Sequence, residues 1–333
     1  EVWQYMGAPG SNAQIKGLTD QTLIYNWDEP KGWVKQDNSN LNPMPAWKGY
    51  ALTQSIRESA SYQITATPIL GTTEINLTCT PTGMKGDNLF VNSFAAPIDI
   101  KKINASDIVE TETGKLWKIF YLFNSGSWNQ WKGDGNHDMT ADGYDQSSAG
   151  HYYTIPILSA SYTGDAQTVI PPMQGVYVYT ETPATIRLNY AKHVWNGEAS
   201  NKPMRSATRE ESDFQRVRIH IGSENSGADR MYIIQTSNTT RGYDNGYDGD
   251  NINANGQANI YTNEPFGKME VSCANNIDSM YIGITTGEDT TYTLTFGALR
   301  GEIYLKDLAN DSIFEMTSGG QYHFTAAANA THD

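Results

Sequence analysis

Two acidic stretches hold the residue types best suited to a hard cation. The first runs Asp134-Gly-Asn136-His-Asp138 and continues through Asp142 to Asp145. Oxygen side chains at alternate positions of a loop can turn toward one ion, and calcium takes about six to eight such oxygens. The opening matches a helix–loop–helix calcium loop, but Met139 stands where that loop needs Gly and Asp145 where it needs Glu. The second stretch carries Asp244, Asp248 and Asp250, with Gly246 and Gly249 permitting tight turns. Calcium is the cofactor expected from these loops. The alternative is a solvated turn in which Asp and Asn bond their own backbone.

A second chemistry lies beside the first loop. Trp128, Asn129, Gln130 and Trp131 form a short aromatic and amide cluster, and Tyr144 follows in the same polar stretch. Indoles can stack on sugar rings while amides bond hydroxyls, so this cluster is the candidate ligand-binding site. The competing reading makes Trp128 and Trp131 strand-end core residues, because large aromatics dominate cores as well. Trp33 and Trp47 read as core of a repeated unit on the same ground.

Catalytic patterns are missing from the sequence. No Gly-x-Ser-x-Gly elbow occurs, and the six His are scattered. Neither a Cys-x-x-Cys pair, a His-Glu-x-x-His motif nor a Gly-rich phosphate loop is present. Adjacent carboxylates such as Asp28 and Glu29 exist, but any acidic chain offers some, and glycoside hydrolysis needs a pair at a set separation. The expectation is a protein without catalytic residues. A carbohydrate-active enzyme or its accessory module, and a spacer that presents another domain, are the alternatives.

Composition narrows the partners. The formal net charge is −14, which repels phosphate backbones and argues against nucleic acid. No run of about 18 apolar residues occurs, so no transmembrane segment is expected. The chain opens Glu1-Val-Trp with no initiator Met, as a trimmed exported chain would. Cys79 and Cys273 each extend an alternating apolar run, Ile75-Leu77 and Met269-Val271, and read as free buried thiols. Charged residues are only 18% of the chain, and Tyr outnumbers Phe by 20 to 9. That balance suits short strands joined by many turns, with aromatic surfaces that keep a polar tip.

A repeated device supplies the frame. Ile170-Pro-Pro-Met-Gln-Gly175-Val-Tyr-Val178 repeats Met44-Pro-Ala-Trp-Lys-Gly49-Tyr-Ala-Leu52: a Pro-rich bend, a Gly, then an alternating strand. Laid together, Gly49 meets Gly175, Tyr50 meets Val176 and Leu52 meets Val178. Leu23 to Tyr25 lines up with the strand at 117–123, and 74–78 with 184–190. The expected fold is all-β: two related antiparallel units, sandwich- or jelly-roll-like, then a C-terminal β-sandwich. The expected domains are a first repeat at 1–86, a second at 87–195 with a polar insertion at about 132–150, a linker at 196–212, and the sandwich at 213–333. The linker is polar and aperiodic, and all eight Trp precede its end. A short helix is expected at 104–109. Long insertions in compact domains are candidate working loops.

The C-terminal third resembles a β-sandwich module of secreted and surface proteins of Bacteroidetes-type bacteria. The resemblance rests on Gly242-Tyr-Asp-Asn-Gly-Tyr-Asp-Gly-Asp250, on Met280-Tyr-Ile-Gly-Ile284 with Asp289 to Phe296, and on Ile303 to Leu308 and Tyr322 to Thr325. It covers residues 214–325. The strand 88–99 looks like that group's Asn-Leu-x-Gly-Asn-Pro pattern, with Val91 and Ser93 in place of Gly and Pro. The resemblance implies export, through the type IX route, and an extracellular or outer-membrane-surface location. It also implies adhesive work, with a glycan or a host surface or matrix protein as partner.

Overall fold

The computed structural model describes residues 3–54, 61–124, 151–163, 168–195, 214–223, 229–252, 258–287 and 290–332. Strand accounts for 52% of the described residues and helix for 5%, so the fold is all-β. It divides into two compact units. One joins Glu1–Ser125 with Gln167–Lys202, and the other joins Gly126–Ala166 with Pro203–Asp333. Strand His151–Pro156, which the sequence groups with the second repeat, therefore falls in the unit that holds the C-terminal strands.

The first unit contains the repeat. Strand Tyr50–Gln54 lies between Gln4–Met6 and Thr22–Asp28, with Gly32–Lys35 at the far edge. Strand Gly175–Tyr179 lies between Asp87–Val91 and Ile119–Asn124 in the same way. The registers agree residue for residue. Ala51 pairs with Tyr5 and Tyr25, and its counterpart Tyr177 pairs with Leu89 and Tyr121. Tyr5 thus corresponds to Leu89, and Tyr25 to Tyr121. Alternation buries one face of each sheet, with Ile24, Tyr50 and Leu52 in the first repeat and Phe90, Phe120, Val176 and Val178 in the second.

The two repeats meet where Gly replaces a side chain. A Cβ on Gly49 would stand 2.4 Å from Leu89 Cγ, and one on Gly175 would stand 2.6 Å from Tyr5 Cβ. Since Leu89 and Tyr5 are equivalent, each repeat inserts the same strand position against the other's Gly. Closing strands Thr72–Leu77 and Ala184–Asn189 pair antiparallel over six residues. Ser93, which departs from the Pro of the resembling pattern, accepts from Trp47 N at 2.7 Å and donates to Ala8 O at 2.6 Å. Asn92 donates to Ala96 O and Ile170 O and accepts from Phe94 N, so side-chain bonds hold this bend.

The expected helix at 104–109 is a 3-10 turn, Ala105–Asp107, followed at once by strand Ile108–Glu110. Asn104 and Asp107 close a capping box, but Ile108 has extended backbone angles (φ −111°, ψ 123°) and pairs with Ile186. Tertiary pairing overrides the local helix signal here.

The second unit centres on a large sheet. Its order is Gln321–Ala326, Thr290–Arg300, Arg216–Gly222, Asp229–Gln235, Gly267–Ala274, Asn259–Glu264, Ile282–Thr285, Thr331–His332, with Gly249–Asp250 also on Gly267–Ala274. One neighbouring pair, Asp229–Gln235 with Gly267–Ala274, is parallel. Val217, Ile219, Ile221, Ile260, Leu294 and Phe296 lie in its main core. A smaller cluster of Tyr232, Ile234, Val271 and Cys273 packs against Tyr162, Phe214 and Tyr247. Both cysteines are free; Cys273 is buried and Cys79 half-buried.

Candidate binding faces

The side of the first sheet turned away from its core is aromatic. Alternation puts Tyr5, Leu23, Tyr25, Trp27, Trp33, Lys35, Ala51 and Thr53 on it. The rings are in contact. Trp3 meets Tyr25 at 5.5 Å, Tyr5 meets Trp33 at 5.5 Å, and Trp27 meets Trp33 at 5.0 Å edge to face. Tyr5 also meets Phe123 of the second repeat at 5.1 Å, which carries the aromatic surface across to it. The Trp27 indole N–H donates to Asp87 O at 2.6 Å, and Tyr177 Oη donates to Asp87 Oδ1 at 2.6 Å. Burial, reinforced by the Asp87 carboxylate, holds the Tyr177 phenol far above its ordinary range, so it stays a donor.

Trp33 corrects its assignment to the repeat core: it lies on the edge strand and is 39% exposed. Strand alternation fixes its face, and its place on strand Gly32–Lys35 leaves it partly exposed. Trp47 is half-buried and packs edge-on against Phe94 at 4.9 Å. Among the eight positions named on this face the one charge is Lys35, and none is Asp or Glu. That is notable in a chain with 37 acidic residues. The alternation of Tyr25 and Trp27 with Ile24 and Asn26 was the sequence signal for this surface.

The ligand residues expected from sequence, Trp128, Asn129, Gln130, Trp131 and Tyr144, lie outside the described residues. So do Asp134, Asn136, Asp138, Asp142 and Asp145.

Asp244, Asp248 and Asp250 are described, and two of them are used by their own turn. Asp244 Oδ2 accepts from Thr240 N at 2.5 Å and Thr240 Oγ1 at 3.1 Å. Asp248 Oδ2 accepts from Asp244 N and its Oδ1 from Cys273 N, each at 2.7 Å. Burial pushes the Asp248 carboxyl up to about 7, although these two amides pull the other way. Among the described residues, no group of three or more His, Cys, Asp or Glu is placed to hold a metal ion.

One His sits in a network. His193 Nδ1 accepts from Asn189 N at 2.8 Å, and Nε2 lies 3.2 Å from Asp107 Oδ2. Lys192 Nζ reaches both Asp107 oxygens at 2.6 and 2.7 Å. The acceptor role of Nδ1 puts the ring proton on Nε2, facing the carboxylate. This cluster joins a 3-10 turn to a helical turn and presents no nucleophile.

No family model matches the chain, and no solved structure matches it. It is 27% identical, over 347 aligned positions, to the minor fimbrium subunit Mfa5 of Porphyromonas gingivalis. The alignment covers 97% of this chain and 27% of that protein, so the chain spans about a quarter of the length of the curated relative it matches.

Proposed function

We propose that this chain is a non-catalytic portion of a larger bacterial cell-surface subunit and binds carbohydrate through the aromatic face of its first unit. The surface location is supported by similarity to a fimbrium subunit. Export by the type IX route is part of the same proposal, on the resemblance of residues 214–325. The observation that carries the binding reading is the run of touching rings from Trp3 through Tyr5, Trp33 and Trp27, with Trp33 open to solvent. Flat aromatic surfaces bury the apolar faces of pyranose rings, and polar groups around them bond the hydroxyls. The lack of carboxylates among the named face positions suits a neutral sugar. Calcium is retained as a proposal for residues 134–145 alone, on the spacing of Asp134, Asn136 and Asp138.

The test is an array of glycans and host matrix proteins probed with the wild type, Trp33→Ala and the pair Trp128→Ala/Trp131→Ala. Loss of glycan binding in Trp33→Ala, about tenfold or more, is the expected result. Loss in the Trp128/Trp131 pair alone moves the site to the insertion. Wild-type binding to no arrayed ligand overturns the adhesive reading in favour of a spacer.

A further inference from the structure

The first unit carries a second group of rings, on its second repeat. Tyr179 stands where the first repeat has Thr53, and Tyr177 where it has Ala51. The repeated strand therefore forms with small or polar residues at these positions, so its fold does not require rings there. Tyr179 meets Trp117 edge to face at 4.8 Å, and both are half-buried. The chain at 115–117 runs beside 179–181: Trp117 N donates to Tyr179 O at 3.1 Å, and Glu181 N to Lys115 O at 2.8 Å. At the rim of the ring pair Lys115 Nζ donates to Glu181 Oε2 at 2.7 Å, with both side chains open to solvent. Tyr177 shares the face of Tyr179 and meets Tyr121 at 5.5 Å, while Phe123, on the side of Tyr121, meets Tyr5 of the first repeat at 5.1 Å. Tyr121 itself is buried and takes no part in a binding surface. Asp87 links the two ring groups. It is the ladder partner of Tyr179, its carboxylate accepts from Tyr177 Oη, and its carbonyl accepts the Trp27 indole N–H at 2.6 Å. Trp27 in turn meets Trp33.

Apolar surface rimmed by polar groups marks ligand grooves. We propose that the first unit binds a neutral oligosaccharide chain at two subsites, Trp33 with Trp27 on one repeat and Tyr179 with Trp117 on the other. This rests on the carbohydrate reading given above and adds to it the length of the ligand. A sugar ring stacks at each ring pair, and the stretch of chain between them passes Asp87. At the second subsite the Glu181 carboxylate accepts from one sugar hydroxyl while the Lys115 ammonium donates to its neighbour. Those two charges cancel, so the subsite selects neither an acidic nor a basic sugar. Both subsites lie in one compact unit. A chain long enough to reach both therefore makes the second contact without a second loss of translational freedom.

The full chain is titrated with cellobiose and cellohexaose, maltose and maltohexaose, and mannobiose and mannohexaose. The hexasaccharide of the recognised series is expected to bind about tenfold or more tighter than its disaccharide. Tyr179→Thr puts in the first repeat's own residue and is expected to remove that gain, leaving the disaccharide within about twofold. Glu181→Gln alters an exposed ion pair that contributes little to folding. It is expected to weaken the hexasaccharide about threefold and to leave the disaccharide unchanged. Trp33→Ala is expected to weaken both lengths. A hexasaccharide that binds no tighter than the disaccharide, with Trp33→Ala still harmful, overturns the second subsite and leaves the first standing. Equal loss of both lengths in Tyr179→Thr and in Glu181→Gln also overturns it. No binding of any of these sugars by the wild type overturns the carbohydrate reading itself, and this inference with it.

Discussion

Trp47 and Met173 share a left-handed backbone conformation, with φ of +64° and +69°, each two residues before the Gly that starts a central strand. Non-Gly residues rarely adopt this conformation. Its recurrence at matched positions shows that the repeat extends to the bend, although Trp47 and Met173 differ in side chain. After the bend, Gly49 and Gly175 admit Leu89 and Tyr5.

Gly49→Ala and Gly175→Ala should therefore each destabilise the first unit by about 1–3 kcal/mol, since the added carbon meets the neighbouring repeat. Gly71→Ala, with nothing within 4 Å of its added carbon, should stay within about 0.5 kcal/mol. Urea unfolding midpoints of the three variants check this, and equal shifts at Gly71 and Gly175 would refute it.

Trp33→Ala should cost less than about 1 kcal/mol, because that ring is partly solvated already. Trp27→Ala should cost more, about 3 kcal/mol, since it removes ring contacts and strands the Asp87 carbonyl. Circular dichroism melts distinguish the two. A Trp33 variant that melts far earlier would make its loss of binding uninformative.

The His193 cluster makes stability depend on pH. Burial holds the His193 imidazole below its ordinary 6.5, partly offset by Asp107, while Lys192 and Lys102 add repulsion. The unfolded chain then binds the proton more readily than the folded one. Stability should be full above about 6.5 and fall as pH drops through the lower folded value. Burial also acts on Asp107, but its bonds from Lys192, Asn104 N and His193 outweigh this and hold it below 3.8, so a further loss follows in stronger acid. Melting curves from pH 8 to 5 should show the first loss, and His193→Gln should flatten it.

Asp248 has the opposite sign. Its folded carboxyl titrates at about 7 and its ordinary value is 3.8, so the folded second unit holds the proton more tightly. Its contribution is full below about 4 and is lost as pH rises through about 7, a change on the order of a few kcal/mol. Carboxyl-carbon NMR should place its midpoint near 7, and a midpoint near 4 would contradict the burial argument.

Removing divalent ions should leave the turn at 240–250 in place, because Thr240, Asp244 N and Cys273 N already bond the carboxylates of Asp244 and Asp248. If chelation lowers the thermal midpoint, Asp134→Asn/Asp138→Asn should abolish that shift.

The sequence by itself determined the all-β class and the matched registers of the two repeats. Period-two alternation and the spacing from Pro to Gly are local, and a strand expresses both directly. Tertiary structure alone decided which of the two faces is covered. Alternation puts Tyr25 and Trp27 opposite Ile24, but burial of one set and exposure of Trp33 depend on what other strands pack there. It also decided the parallel pairing of Asp229–Gln235 with Gly267–Ala274, which joins segments far apart in the chain. Asp248 and Asp250 look alike in sequence. Only the folded chain brings Cys273 N, 25 residues away, to Asp248, while Oδ2 of Asp250 is buried without a bond.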